Sequence, residues 1–204
     1  MSVWGVVVAA VLLVVVSACA TAPPQNRDDL CDIFAEKPDW YDAVKAANKR
    51  WDVPMSVMMA FMYQESAFVA KAKPERTWYF GFIPGPRSSD AYGYSQAKDD
   101  TWAWYQEQTG NRFADRDDFA DAIDFIGWYN RTSQKLVGIA TDDPFRLYLA
   151  YHEGHGGYQR QSYRDKPWLV EVARKVDRRA RSYSAQLGRC RTQLEDRGWF
   201  DGWF

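Results

Sequence analysis

Glu65 stands where a mostly apolar run stops: Met55-Ser56-Val57-Met58-Met59-Ala60-Phe61-Met62-Tyr63 is followed by Gln64-Glu65-Ser66-Ala67-Phe68. A stretch that is apolar on every face of a helix belongs inside a domain. The spacing therefore predicts a carboxyl group at the C-terminal end of a buried helix. Two effects raise a carboxyl pKa there: partial loss of hydration and the negative end of the helix dipole. A carboxylic acid that keeps its proton near neutral pH suits general-acid chemistry. The same segment also fits an exposed Glu just past a core helix, and by itself does not choose between the two.

The other residues able to do chemistry are few. His152 and His155 stand three apart, not in the four-residue spacing of a His-Glu-x-x-His zinc helix. Gly154, Gly156 and Gly157 around them read as a loop. No metal and no cofactor is expected, and no phosphate-binding glycine loop or nucleophile elbow occurs.

Helices must position these groups, since strand-like alternation is scarce. Asp39 to Trp51 places Trp40, Val44, Ala47 and Trp51 at helical spacing, with Asp39 as N-cap. A helix restarts with Pro54 in its first turn and runs through the apolar stretch. Thr101–Gln108, Phe119–Gly138, Pro144–Tyr151 and Pro167–Leu187 read as further helices, the last with a basic outer face of Arg174, Lys175, Arg178, Arg179 and Arg181. A solvated face is the preferred reading of that charge. Between Ala72 and Ala91 the residues Pro74, Gly81 and Pro84-Gly85-Pro86 interleave with Trp78, Tyr79, Phe80 and Phe82, which predicts a long aromatic loop.

The chain has 204 residues, 47% hydrophobic and 26% charged, enough for one domain. Its net charge of −1 gives no field to attract nucleic acid. Ten tryptophans and an odd count of three cysteines stand out. Val3 to Val16 is an unbroken apolar run of 14 residues, short for a membrane span and suited to a signal-peptide core. Val16-Ser17-Ala18-Cys19 after it resembles a bacterial lipobox, although no Lys or Arg precedes the run. The expected organisation is a signal peptide over 1–18, a tether over 19–30 lipidated at Cys19, a domain over 31–190, and an aromatic tail over 191–204. Ala20 in place of Asp after the lipidated Cys implies the outer membrane, periplasmic side. In that oxidising compartment Cys31 and Cys190 are expected to pair, two buried thiols being the alternative.

Three motifs then carry a resemblance. Trp51-Asp52-Val53-Pro54 through Glu65-Ser66-Ala67-Phe68, Ala91-Tyr92-Gly93-Tyr94-Ser95-Gln96 with Thr101-Trp102, and Ala150-Tyr151-His152-Glu153-Gly154 occur in the order of the lytic transglycosylase SLT domain, a lysozyme-like family that cleaves peptidoglycan. The chain resembles that family over roughly residues 40 to 187. It departs in Tyr94, Ser95, His152 and a longer segment from Ala70 to Tyr92. The resemblance implies a mainly α, single lysozyme-like domain with an aromatic loop insertion, acting as a monomer on peptidoglycan glycan strands. Glu65 is then the catalytic acid and base of a non-hydrolytic cleavage that leaves 1,6-anhydromuramoyl ends. Ser66 and Gln96 are expected to bond substrate or orient Glu65, Tyr151 to hold the acid from the opposite wall, and Gly93 to let backbone approach the sugar. Tyr92, with Phe68, Trp78 and Tyr79, is expected to stack on sugar rings. Two alternatives stand beside this: a hydrolytic muramidase using Asp90, Asp99 or Glu153 as second carboxylate, and a non-catalytic peptidoglycan-binding lipoprotein.

Overall fold

In the computed structural model, which describes residues 22–79 and 83–200, every residue from Met55 to Met62 is buried. They belong to the helix Met55–Ser66, α3, third of the seven α-helices among the described residues after Leu30–Glu36 (α1) and Pro38–Trp51 (α2). A hairpin of Arg76–Tyr79 (β1) and Ile83–Arg87 (β2) follows, then Asp99–Thr109 (α4), Phe119–Val137 (α5), Pro144–Gln159 (α6), a 3₁₀ turn at Ser162–Asp165 and Pro167–Phe200 (α7). The protein is mainly helical, as the sequence pattern indicates.

The core helix α3 is apolar all round because it is enclosed by α2, α5 and α7. Met58, Met59, Phe61 and Met62 have no exposure, and each such side chain contributes about 1.5–3 kcal/mol through burial. Asp124 on α5 ties the neighbouring elements together: it accepts from Trp51 Nε1 at 2.7 Å and Tyr105 OH at 2.7 Å, and pairs with Arg50 at 3.0 Å.

Several helix limits differ from the sequence reading. Asp39 lies in the first turn of α2 with Lys37 at the N-cap, and Pro54 is the N-cap of α3, outside its first turn. The residues expected to loop around Gly154 continue α6 to Gln159. Only Gly154 leaves the helical region, at φ 71°, ψ 160°. The segment from Ala72 to Ala91 holds an antiparallel hairpin, with Arg76 opposite Arg87, Trp78 opposite Pro84 and Tyr79 opposite Ile83. Prolines fit this ribbon because neither strand has a second neighbour demanding an N–H. Past Leu187 the last helix runs on to Phe200.

Cys31 and Cys190 are joined by a disulfide, their Cα atoms 6.0 Å apart. Within the segment expected as a tether over 19–30, the chain from Arg27 onward is docked on α7: Arg179 pairs with Asp28 at 2.8 Å, Gln186 holds Leu30 N at 2.8 Å, and Tyr183 donates to Arg27 O. Cys19 and the 1–18 segment lie outside the described residues. Among the described residues no helix is long and apolar enough to cross a membrane.

Candidate active site

α3 ends because Ala67 turns left-handed at φ 48°, returning its N–H to Tyr63 O at 2.8 Å. Phe68 stays in that region at φ 63°, so the chain leaves sharply just past Glu65. Glu65 projects one helical turn beyond Phe61, whose ring meets Tyr148 and Tyr151 of α6 edge-on at 5.4 and 5.3 Å. These tyrosines, three apart, share one face of α6. Tyr148 OH donates to the Glu65 carboxyl group. Burial pushes the Glu65 pKa up to about 7, and the Tyr148 bond opposes part of that rise. The carbonyl end of α3 acts in the same direction as burial.

A cleft of about 500 Å³ opens over this carboxyl group. Its lining includes Phe125 and Tyr129 of α5, Tyr151, His152, Glu153 and Gly154 of α6, and Ala91, Gln96 and Ala97 of the segment between the hairpin and α4. Glu65 and Glu153 are the two carboxylates among its described lining residues. They differ sharply in character. Glu153 is held by Lys166 Nζ at 2.7 Å, by His152 Nδ1 at 3.0 Å and by the Ser162 hydroxyl. Burial pushes its pKa up, but these three partners outweigh burial and bring it to about 2. The site thus contains one proton-carrying acid and one fixed anion.

The loop opposite Glu65 is held in place by main-chain contacts. Gly93 N donates to Ala72 O at 2.9 Å, Tyr94 N to Arg116 O at 3.0 Å, and Gln96 Nε2 to both Ala72 O and Gly93 O at 3.0 and 2.9 Å. Tyr151 OH donates to Ser95 O at 2.6 Å, joining α6 to that loop.

The expected site residues divide accordingly. Glu65, Gln96 and Tyr151 meet in the cleft. Tyr151 spends its hydroxyl on Ser95, and Tyr148, which the sequence reading passed over, bonds Glu65 instead. The three-residue spacing of the two tyrosines on one helix was the available signal. Ser66 is buried and bonds back to Met62 O at 3.2 Å, so its hydroxyl is engaged within the helix. Gly93 makes room for protein, not sugar: a Cβ there would lie 2.1 Å from Arg116 O. Tyr92 points away from the cleft, its OH donating to Asp117 at 2.8 Å. Phe68 is fully buried against Trp40 and Tyr63. The side chains of Trp78 and Tyr79 lie outside the described residues. Asp90 and Asp99 are not cleft residues; Asp99 pairs with Arg116 at 2.7 Å and Asp90 accepts from Asp99 N. His152 and His155 diverge, the latter meeting Ser133 Oγ at 2.9 Å and stacking on Tyr129. Among the described residues no group of three His, Cys, Asp or Glu is placed to hold a metal ion.

The site thus joins one raised-pKa carboxyl, at the end of the core helix of a mainly helical fold, to an open cleft. The family described as the Transglycosylase SLT domain matches residues 7–190, and the chain belongs to that family. No curated protein matches the chain.

Proposed function

We propose that the protein is a peptidoglycan lytic transglycosylase that cleaves the β-1,4 bond between N-acetylmuramic acid and N-acetylglucosamine without water. Glu65 protonates the glycosidic oxygen, and the resulting carboxylate takes the proton from the muramoyl 6-hydroxyl. That oxygen attacks C1, the leaving sugar departs with the first proton, and a 1,6-anhydro end remains. The observation carrying this reading is the lone proton-bearing acid: Glu65 has a pKa of about 7, while Glu153 is held at about 2 by Lys166, Ser162 and His152. A hydrolase of the two-carboxylate kind needs a second group free to act on water or on C1. Glu153 is engaged elsewhere, and Asp90 and Asp99 lie outside the cleft. Membership in the SLT family supports a peptidoglycan glycan substrate.

We place the enzyme at the outer membrane, facing the periplasm, anchored as a monomer by lipid on Cys19. The support is the lipobox-like Val16-Ser17-Ala18-Cys19 and the Cys31–Cys190 disulfide, which suits an oxidising compartment.

Digestion of purified sacculi by wild type and Glu65→Gln, with products read by mass spectrometry, tests the reaction. Wild type is expected to release anhydro-ended muropeptides. Glu65→Gln is expected to lose activity by a factor of at least about 10², the scale of a general acid. Reducing ends without anhydro product would overturn the transglycosylase reading in favour of hydrolysis. No released product, with binding retained in both proteins, would leave a binding lipoprotein.

A further inference from the structure

Beside the catalytic cleft lies a second hollow of about 350 Å³, lined by Lys73, Arg87, Ser89, Asp90, Ala91, Tyr92, Asp99 and Arg116. Ser89 and Ala91 also line the cleft, so the two spaces share a rim. Of the two acids of this hollow, Asp99 is paired with Arg116 at 2.7 Å, and Asp90 accepts from Asp99 N at 3.3 Å, leaving one carboxylate charge against Lys73 and Arg87. Of its three cations Arg116 is thus paired, while Lys73 and Arg87 have no such partner among the described residues. Lys73 lies over the Tyr92 ring at 5.1 Å, and Arg87 bonds only the Pro74 carbonyl; neither meets a carboxylate among the described residues.

The hairpin adds a second, independent sign. Its register sets Arg76 directly opposite Arg87, and like charges facing across a strand pair are destabilising. Exposed Glu75 is the one acid in the stretch from Lys73 to Arg76, leaving a cationic surplus. Two arginines at paired positions of the hairpin, with Lys73 three residues before Arg76, suit a ligand bearing more than one carboxylate.

We infer that Lys73, Arg76 and Arg87 form a side site that binds the carboxylates of the peptide stem carried by the muramoyl lactyl group of the glycan in the neighbouring cleft. The inference rests on the proposed glycan substrate and extends it: the side site selects strands that still bear stems. While its lactyl carboxyl groups are tied to stems as amides the sugar backbone is uncharged, so the stem carboxylates supply the partner that this charge requires; stripping the stems leaves a single lactyl carboxylate per muramoyl unit.

The test uses full-length protein in detergent, in a Glu65→Gln background that holds strands without cutting them. Binding is measured to stem-bearing strands and to strands stripped of stems by an amidase. The parent is expected to prefer stem-bearing strands at least about tenfold at low salt, with the preference falling as ionic strength rises. Lys73→Ser/Arg76→Ser/Arg87→Ser is expected to reduce affinity for stem-bearing strands to the level seen with stripped ones. As a check independent of the variant's folding, free stem tetrapeptide should compete with stem-bearing strands for the parent. Equal binding of both strand types by the parent, or an unchanged preference in the variant, would overturn the inference. So would a loss confined to vesicles of anionic lipid, which would assign the charge to a membrane surface. Cleavage of stripped strands by the protein with Glu65 intact is scored separately. Cleavage without preference defeats only the side site, and preference without cleavage defeats only the enzymatic reading.

Discussion

Ionising Glu65 costs folding free energy, because water is largely excluded from a carboxyl whose pKa is raised to about 7 in the folded chain. The folded state holds this proton more tightly than the unfolded state. Glu65 therefore does not weaken the fold below the ordinary carboxylate pKa; the penalty grows as pH rises from that value toward 7 and levels off above it. Replacing it with Gln, which never ionises, should leave stability unchanged at pH 4 and raise it at pH 8.5 by on the order of 3 kcal/mol. Urea titrations at both pH values measure this; equal effects at both would disprove the raised pKa. Tyr148→Phe removes the hydrogen bond that lowers the Glu65 pKa. The alkaline limb of its pH–activity profile should consequently move to higher pH, whereas a purely packing role for Tyr148 would reduce rate without moving the limb. Glu65 was legible in the sequence because an all-apolar helix ending in a carboxyl is a local pattern. Ser66, Gly93 and Tyr92 were assigned toward the sugar because sequence spacing does not show what already occupies a hydroxyl or a glycine's open side.

Two glycines show how the elements set the site's shape. Gly154, at φ 71° and ψ 160°, bends α6 after Tyr151 and His152, and nothing lies within 4 Å of a Cβ built there. Gly93 has φ 78° and also abuts Arg116 O. Gly154→Ala meets only the backbone penalty, so a loss of about 1–3 kcal/mol is expected. Gly93→Ala adds a main-chain collision and should lose more, displacing the loop held by Ala72, Arg116 and Tyr151. Chemical denaturation of the two variants compares them; equal losses would show that the Arg116 contact yields easily. The helices themselves were readable since a 3.6-residue apolar period is written into 10 to 20 consecutive residues. The hairpin was not: Pro84-Gly85-Pro86 signals a loop by composition, and only tertiary placement makes it a strand. The helical course through Gly154 to Gln159 was missed for a related reason, glycine marking a break that here is confined to one residue.

For the molecule as a whole, the Cys31–Cys190 bridge spans 159 residues of sequence and closes nearly all the described fold into one loop. On the chain-entropy account a loop of that length contributes about 4–5 kcal/mol. Cys31→Ser/Cys190→Ser should accordingly lower the melting temperature by several degrees, and an unchanged melting curve would show that the pairing adds nothing to the folded state. The pairing was legible as the counterpart of an expected export signal, whereas the docking of Asp28, Asp29 and Leu30 on α7 was not, because their partners lie over 150 residues away. That docking also has a mechanical consequence. A pull applied to the chain ahead of Arg27 passes through the ion pairs and Cys31 directly into α7, a continuous helix. The load therefore enters the fold through α7, and not through the sharp exit at Ala67 and Phe68 that follows Glu65.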